Sequence, residues 1–206
     1  MGAHSHINAK IERATEAARR LGLFRAEEFV TAGFPHEYIR RLLKRGTIHQ
    51  VSRGLYASDS FEGDQNRSLV EATKRFPKGV VCLISALRFH EIGTQSPFQV
   101  WLALPSDASQ PRTAEELPIR FCKFSTATHN FGVESHHLPG GRIHVFTPAK
   151  TVADCFKYRN KFGVDVAVEA MKDGWKQRKF TLADLADAAA ICRVRKVVQP
   201  YLEMLA

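Results

Sequence analysis

Three sets of residues in this chain have types and spacings that could do chemistry: four histidines between 129 and 144, a serine and histidine at 85 and 90, and a run of cations from His36 to Arg53. For His129, His136, His137 and His144 the chemistry would be metal ligation or proton transfer. His136 and His137 are consecutive on a predicted strand and therefore face opposite ways. His144, beyond Pro139-Gly140-Gly141, can meet only one of them. No carboxylate or thiol stands at a ligand spacing to complete a site, so a solvated or capping role is expected. Ser85 and His90 share a predicted helix without a nucleophile elbow or an acid partner, and Ser85 reads as a packed, locally hydrogen-bonded helix residue. A nucleotidyltransferase would need Gly-Ser followed by an Asp-x-Asp-like metal pair, and none occurs. A restriction-type nuclease would need an acidic residue and then [Asp/Glu]-x-Lys on a strand, whereas Glu134 is followed by Ser135 and His136. The expectation is a protein with no catalytic residues, metal or cofactor, which is not an enzyme.

The cations fit a different chemistry. In Phe24 to Tyr56, Ile39, Leu42 and Leu43 recur at i, i+3, i+4, one apolar stripe on a predicted helix. At about 100° per residue, Arg40, Arg41, Lys44 and Glu37 fall on the opposite face, with Tyr38, Arg45 and His36 flanking. A helix with an apolar back and guanidinium forks in front suits the major groove of duplex DNA. Glu37 would repel phosphate, although a carboxylate can accept from cytosine N4.

Positioning that face requires particular elements around it. A short helix over about Arg25–Ala32, with Phe29 and Val30 inward, is followed by Gly33, which permits a sharp turn. Pro35 suits the first turn of the next helix and Gly46 its end. Thr47–Val51 and Leu55–Ala57 read as two short strands, with Ser52-Arg53-Gly54 holding Arg53 at the hairpin tip, within reach of a phosphate or the minor groove. A helix over Asn8–Leu21, with Ile11, Ala14, Thr15, Ala18 and Leu21 inward, would complete a three-helix core. The order is that of a winged helix-turn-helix, assigned to residues 1–60. The polar stretch Ser58–Asp64 is the expected boundary.

Residues 61–206 read as an α+β domain, a small mostly antiparallel sheet flanked by helices. Helices are predicted over 65–76 and 80–91, strands over 98–104 and 119–124, and a polar loop between Pro105 and Leu117. A hairpin follows over 131–146. Thr147-Pro148 opens a helical remainder of four segments, 149–159, 164–174, 181–191 and 193–204, with Thr181 and Asp184 in capping-box positions. Lys172, Lys176, Arg178, Lys179, Arg193, Arg195 and Lys196 offer a second basic surface, with RNA as a candidate partner; solvated helix ends are the alternative.

The net charge of +9 favours a polyanionic partner. Residues 1–57 hold ten Lys/Arg against five Asp/Glu, and the remaining 149 hold twenty against sixteen, so the excess is densest around the cationic helix. Cys82, Cys122, Cys155 and Cys192 are widely spaced among apolar neighbours, which predicts buried free thiols in a reducing cytoplasm rather than a metal site or disulfides. No signal peptide and no run of 18 apolar residues is found, so no membrane association is expected. The opening MGAHSH reads as a cloning remnant or frayed start.

Four stretches, QVSRGLYA (50–57), ISALRFHEIG (84–93), FQVWLALP (98–105) and TPAKTVADCFKYRNKFGVDVAVEAM (147–171), together resemble the AbiEi-type antitoxins, regulators associated with phage-defence operons. Lys150 stands where that pattern carries arginine; it and Asp154 read as structural, a cap or an ion pair. The resemblance implies the antitoxin of a type IV toxin–antitoxin pair. Its winged helix would repress its own operon at inverted repeats, and its C-terminal domain would counter a nucleotidyltransferase-like toxin without a stable complex. The alternative is an ordinary winged-helix transcriptional regulator whose second domain senses a ligand or dimerises; an enzyme, which a metal-dependent nuclease assay would test, is the weaker third.

Overall fold

The computed structural model describes residues 2–62, 65–109 and 117–205. Part of the loop expected between Pro105 and Leu117, and Gly63 and Asp64 of the expected boundary, lie outside them. The fold is α+β. The described residues form eleven helices and two sheets, one of three strands and one of five. They divide into two compact units, 1–77 with 137–142, and 78–136 with 143–206. The first unit thus runs on past the polar stretch at residue 60 and takes in another helix.

In the first unit, α1 (Gly2–Leu21), β1 (Leu23–Arg25), α2 (Ala26–Thr31) and α3 (His36–Lys44) precede β2 (Ile48–Ser52), β3 (Leu55–Ser58) and α4 (Arg67–Arg75). Ile11, Ala14, Ala17 and Ala18 of α1 share one core with Phe24, Phe29, Ile39, Leu42 and Ile48. The small alanines let α1 lie close to its neighbours. Three expectations are corrected here. Val30 is 41% exposed, because α2 is too short to bury more than Phe29 on one side. Arg25, the expected helix start, instead joins Leu23 and Phe24, to which no element was assigned, in a strand antiparallel to β3, so the sheet order is β1-β3-β2. α1 also begins at Gly2, well before the expected Asn8.

A polar brace holds this unit's sheet. The Arg25 guanidinium donates to the carbonyls of Lys74 (2.7 Å) and Arg75 (3.2 Å) at the end of α4, where helical carbonyls lack partners. The Lys74 ammonium reaches both carboxylate oxygens of Glu28, at 2.6 and 2.7 Å. Glu28 in turn accepts from the Arg25 backbone N–H at 2.6 Å.

The second unit holds β4 (Val80–Val81), α5 (Leu83–Phe89), β5 (Val100–Pro105), β6 (Ile119–Phe124), α6 (Thr126–Asn130) and, beginning before the 137–142 turn and ending after it, β7 (Val133–Leu138) and β8 (Gly141–Phe146). Helices α7 (Pro148–Lys157), α8 (Arg159–Phe162), α9 (Val164–Lys176), α10 (Leu182–Ile191) and α11 (Arg195–Glu203) complete it. The sheet order is β6-β5-β4-β8-β7. The expected mostly antiparallel sheet is corrected to a mixed one. β5 and β6 run parallel, as do β4 and β8, and only β4 with β5 is antiparallel among the three pairs with a defined register. Long connections between the parallel partners allow this, where a tight turn would not. The predicted helix 80–91 begins as β4, a run of apolar residues buried on both sides. α7 forms as its sequence dictates, with Thr147 as N-cap and Pro148 in the first turn. Thr181 and Asp184 form the expected reciprocal capping box on α10.

At the centre of this unit Lys150 and Asp154, both 0% exposed, pair one turn apart on α7. The Lys150 ammonium also lies over the rings of Phe146 (4.1 Å) and Phe124 (4.8 Å), and the Cys192 thiol donates to the other Asp154 oxygen at 3.3 Å. The pair is therefore structural, an ion pair rather than a cap. All four cysteines are free and buried.

Candidate nucleic-acid interface

The candidate interface is built on the turn between α2 and α3. Gly33 takes φ +94°, in the left-handed region where a side chain would be strained, and redirects the chain. Phe34 then inserts against Phe29 at 5.3 Å, and Phe29 stacks on Phe24 at 5.2 Å. Tyr38 meets Phe34 edge-on at 6.1 Å, so an aromatic chain runs from β1 to α3. Pro35 is the N-cap of α3 rather than its first helical residue, with an extended ψ of 155°. Ile39 and Leu42 are the buried anchors (3% and 0% exposed) and Leu43 is half-buried.

The opposite face is cationic, as the spacing predicts. His36, Arg40, Lys44 and Arg45 are exposed. Arg40 and Lys44 have no hydrogen bond or ion pair among the described residues. Arg41 differs from the even fork that the sequence suggested. Its guanidinium lies 5.3 Å over the Tyr38 ring and 3.4 Å from the Glu37 carboxylate, one turn earlier. Glu37 thus orients Arg41 and offsets part of its charge, while Tyr38 serves as a platform. Arg45 reaches the Asn8 side chain of α1 at 3.5 Å.

The hairpin stands in sequence just after α3. β2 and β3 pair antiparallel from Ile48↔Ser58 to Ser52↔Leu55, with a register shift between Gln50 and Ser52. The loop is only Arg53-Gly54, and Gly54 at φ +74° closes it. Arg53 is exposed at the tip without a partner among the described residues. Thus α3 and this tip belong to one unit around one core, and Arg40, Arg41, Lys44 and Arg53 are all carried by it.

Two further cations escaped the reading of the sequence. Lys10 and Arg13 of α1, one turn apart and exposed, line a cleft of about 400 Å³ with Gly33, Phe34, Pro35, Glu37 and Tyr38. The sequence offers only their spacing of three, and the signal that matters, the approach of α1 to α3, is tertiary.

The other candidates are placed differently. The second basic surface is two clusters. Lys172, Lys176, Arg178 and Lys179 are exposed around the end of α9, and Arg193, Arg195 and Lys196 around the start of α11. Between them runs α10, ten residues or about 15 Å long, with Asp184 and Asp187 exposed on it. The histidines do not converge. His136 lies 3.5 Å from Glu134 and edge-on to Phe89, while His137 accepts from the Arg142 guanidinium. His129 is buried rather than solvated, with Nδ1 3.3 Å from the Asn130 side-chain oxygen. No group of three or more potential metal ligands occurs among the described residues. Ser85 accepts from the Trp101 backbone N–H (3.0 Å) across to β5, so its bonds are not local. His90 is bound to the Phe146 carbonyl at 2.7 Å, and burial lowers its pKa. These two side chains are therefore engaged separately. No described helix is long and apolar enough to cross a membrane.

Residues 12–58, from α1 to the end of β3, match the family model described as transcriptional regulator, AbiEi antitoxin. The AbiEi-type resemblance is thereby shown for the segment that carries α3 and the hairpin, and the rest of the chain lies outside that match. A comparison with curated proteins gave no match. Among solved structures, the chain is similar to the RV2827C protein from Mycobacterium tuberculosis, at 16% identity and a TM-score of 0.48, over 92% of this chain and 79% of that one.

Proposed function

We propose that residues 1–60 form a winged helix-turn-helix that binds duplex DNA, with α3 in the major groove and Arg53 beside it, and that the protein is the antitoxin and autorepressor of a toxin–antitoxin operon. The observation that carries this is the face of α3. Buried Ile39 and Leu42 fix its back, while Arg40 and Lys44 stand free in front, in a segment that matches a transcriptional-regulator family. Arg40 and Arg41 are suited to guanine edges, Tyr38 and His36 flank them, and Lys44, Arg45 and Arg53 serve backbone phosphates. Four free, buried thiols agree with a reducing cytoplasm.

The test is a gel shift on the DNA upstream of the protein's own reading frame at two salt concentrations. Binding should weaken steeply with salt. Unchanged binding by an Arg40→Ala/Arg41→Ala/Arg53→Ala variant would overturn the reading. A nucleotidyltransferase-like frame immediately downstream would support the antitoxin role, which residues 61–206 would perform as a functional rather than stably bound antagonist. In that role the Lys172–Lys179 and Arg193–Lys196 clusters bind RNA that the toxin modifies. Exchanging them for glutamate should abolish toxin rescue and spare promoter repression.

One observation favours the alternative of an ordinary regulator with a sensing domain. The second unit contains a cleft of about 480 Å³ lined by Phe131, Phe180, Thr147, Lys179, Glu134 and Asp187. A small molecule that shifts operator affinity, in the absence of a neighbouring toxin gene, would decide for it.

A further inference from the structure

The cleft between α1 and the α2–α3 turn borders the start of α3 at Glu37 and Tyr38, but its two cations, Lys10 and Arg13, belong to neither the recognition helix nor the hairpin. Lys10 and Arg13 are three residues apart on α1 and so share a face. Ile11 and Ala14 beside them are buried, which anchors the backbone that presents both cations. Neither cation has a hydrogen bond or ion pair among the described residues. Among the described residues that line the cleft the only carboxylate, Glu37, is directed to Arg41 at 3.4 Å, so the charge left to the opening is positive. Phe34, Tyr38 and Ala32 line the cleft as well, and Tyr38 is locked by its contacts with Phe34 and Arg41. α3 carries no side-chain cap on its first turn, so its amides add to the same field. About 400 Å³ exceeds what a phosphate and several waters fill, since one water occupies about 30 Å³.

We infer that this cleft is a seat for a backbone phosphate of the bound duplex, held by Lys10 and Arg13 and lying outside the stretch read by α3. It rests on the DNA-binding reading above and deepens it. Asn8 of α1 lies 3.5 Å from Arg45 at the end of α3, and Lys10 and Arg13 stand by Glu37 and Tyr38 at its start, so α1 reaches both ends of that helix. A duplex that admits α3 to its major groove presents a sugar–phosphate strand along each side of that helix, and one of them meets α1. Two positive, unpaired groups at that edge, away from the groove floor that α3 occupies, are suited to phosphate rather than to bases. With both cations in contact, the protein spans the groove wall as well as its floor, which fixes the depth at which Arg40 meets the base edges.

The experiment measures binding of the full-length protein to its own upstream duplex, and to an unrelated duplex of equal length, across a salt series. Lys10→Ala/Arg13→Ala should lower the slope of log affinity against log salt by about one unit per residue, on both duplexes alike. The preference for the upstream sequence should be unchanged, and Lys10→Arg should bind as the unaltered protein does. Both residues are exposed, and a thermal melt of the double variant checks that the fold is kept. An unchanged slope while the unaltered protein binds would overturn this inference and leave the DNA-binding reading standing. A loss of preference rather than of slope would also overturn it, because it would make the residues base readers. Failure of the unaltered protein to bind either duplex would overturn both.

Discussion

In the second unit Lys150 is sealed from solvent against Asp154 and two phenylalanine rings, whereas in the first Arg40, Lys44 and Arg53 stand in solvent without a partner among the described residues. The same charge is used in two ways. A buried ammonium must have its counter-charge and its ring faces, since the desolvation cost is otherwise too great. An exposed guanidinium costs the fold little and remains available to an outside anion. The comparison separates residues that the fold depends on from residues that a ligand depends on, and substitutions should sort the same way.

The largest effect is expected at the buried pair. Lys150→Met leaves the Asp154 carboxylate without its cation in a dry core and should cost about 3–5 kcal/mol of stability in urea unfolding. Lys150→Met/Asp154→Leu should recover most of that loss. A cost below about 1 kcal/mol for the single change would put Lys150 in the same class as the surface cations and erase the contrast. Acid adds a second readout. Burial raises the Asp154 pKa from its ordinary value, despite Lys150. Its folded value therefore exceeds its unfolded one, so its contribution is complete below about pH 3.9 and is lost as pH rises through the raised value. The difference in stability between the unaltered protein and Asp154→Asn should show that slope.

The surface cations should behave oppositely. Arg40→Ala should leave stability within about 0.5 kcal/mol and weaken or relax recognition of the upstream duplex by about 1–3 kcal/mol. Arg41→Ala should do the same to binding, and it should also free Glu37, which then repels the phosphates that Arg41 now shields it from. Arg53→Ala, at the hairpin tip, should weaken all duplexes alike and lower the salt slope by about one unit. A variant of Arg40 that lost stability instead would assign its guanidinium to the fold and dissolve the distinction.

How much of this was legible in the sequence follows the range of the interactions. The face of α3 is a local property: Ile39 and Leu42 inward and Arg40 and Lys44 outward follow from helical spacing alone. The caps at Thr147 and Thr181 are equally local. β1 was not legible, because three residues are too few to show an alternation, and its partner β3 lies thirty residues on. Val30 was placed inward beside Phe29 as its apolar neighbour, but a six-residue helix has room for one buried anchor, and Phe29 fills it. The parallel pairs β5–β6 and β4–β8 depend on which long connection crosses the sheet, and no spacing records that. Lys10 and Arg13 belong with the missed residues for the same reason, since only the packing of α1 brings them to the turn.

The smallest effect tests whether surface charge in the second unit can also serve the fold. Thr181 accepts from the Asp184 backbone N–H at 3.1 Å, and its own backbone N–H donates to the Asp184 carboxylate at 2.9 Å. Both are exposed, so no ligand-free burial argument applies, yet the pair closes the first turn of α10. Hydrogen bonds from Thr181, side chain first, hold the Asp184 pKa below its ordinary value. A depressed carboxylate stabilises the fold above its unfolded pKa and loses that contribution as pH falls through the folded one. Thr181→Ala should therefore cost about 1 kcal/mol at neutral pH, and the difference from the unaltered protein should shrink in acid. Duplex binding should not change, because α10 lies in the other unit from α3. If Thr181→Ala weakened binding as Arg40→Ala does, the line between fold-serving and ligand-serving charge would not follow the two units, and the second unit would have a direct part in holding DNA.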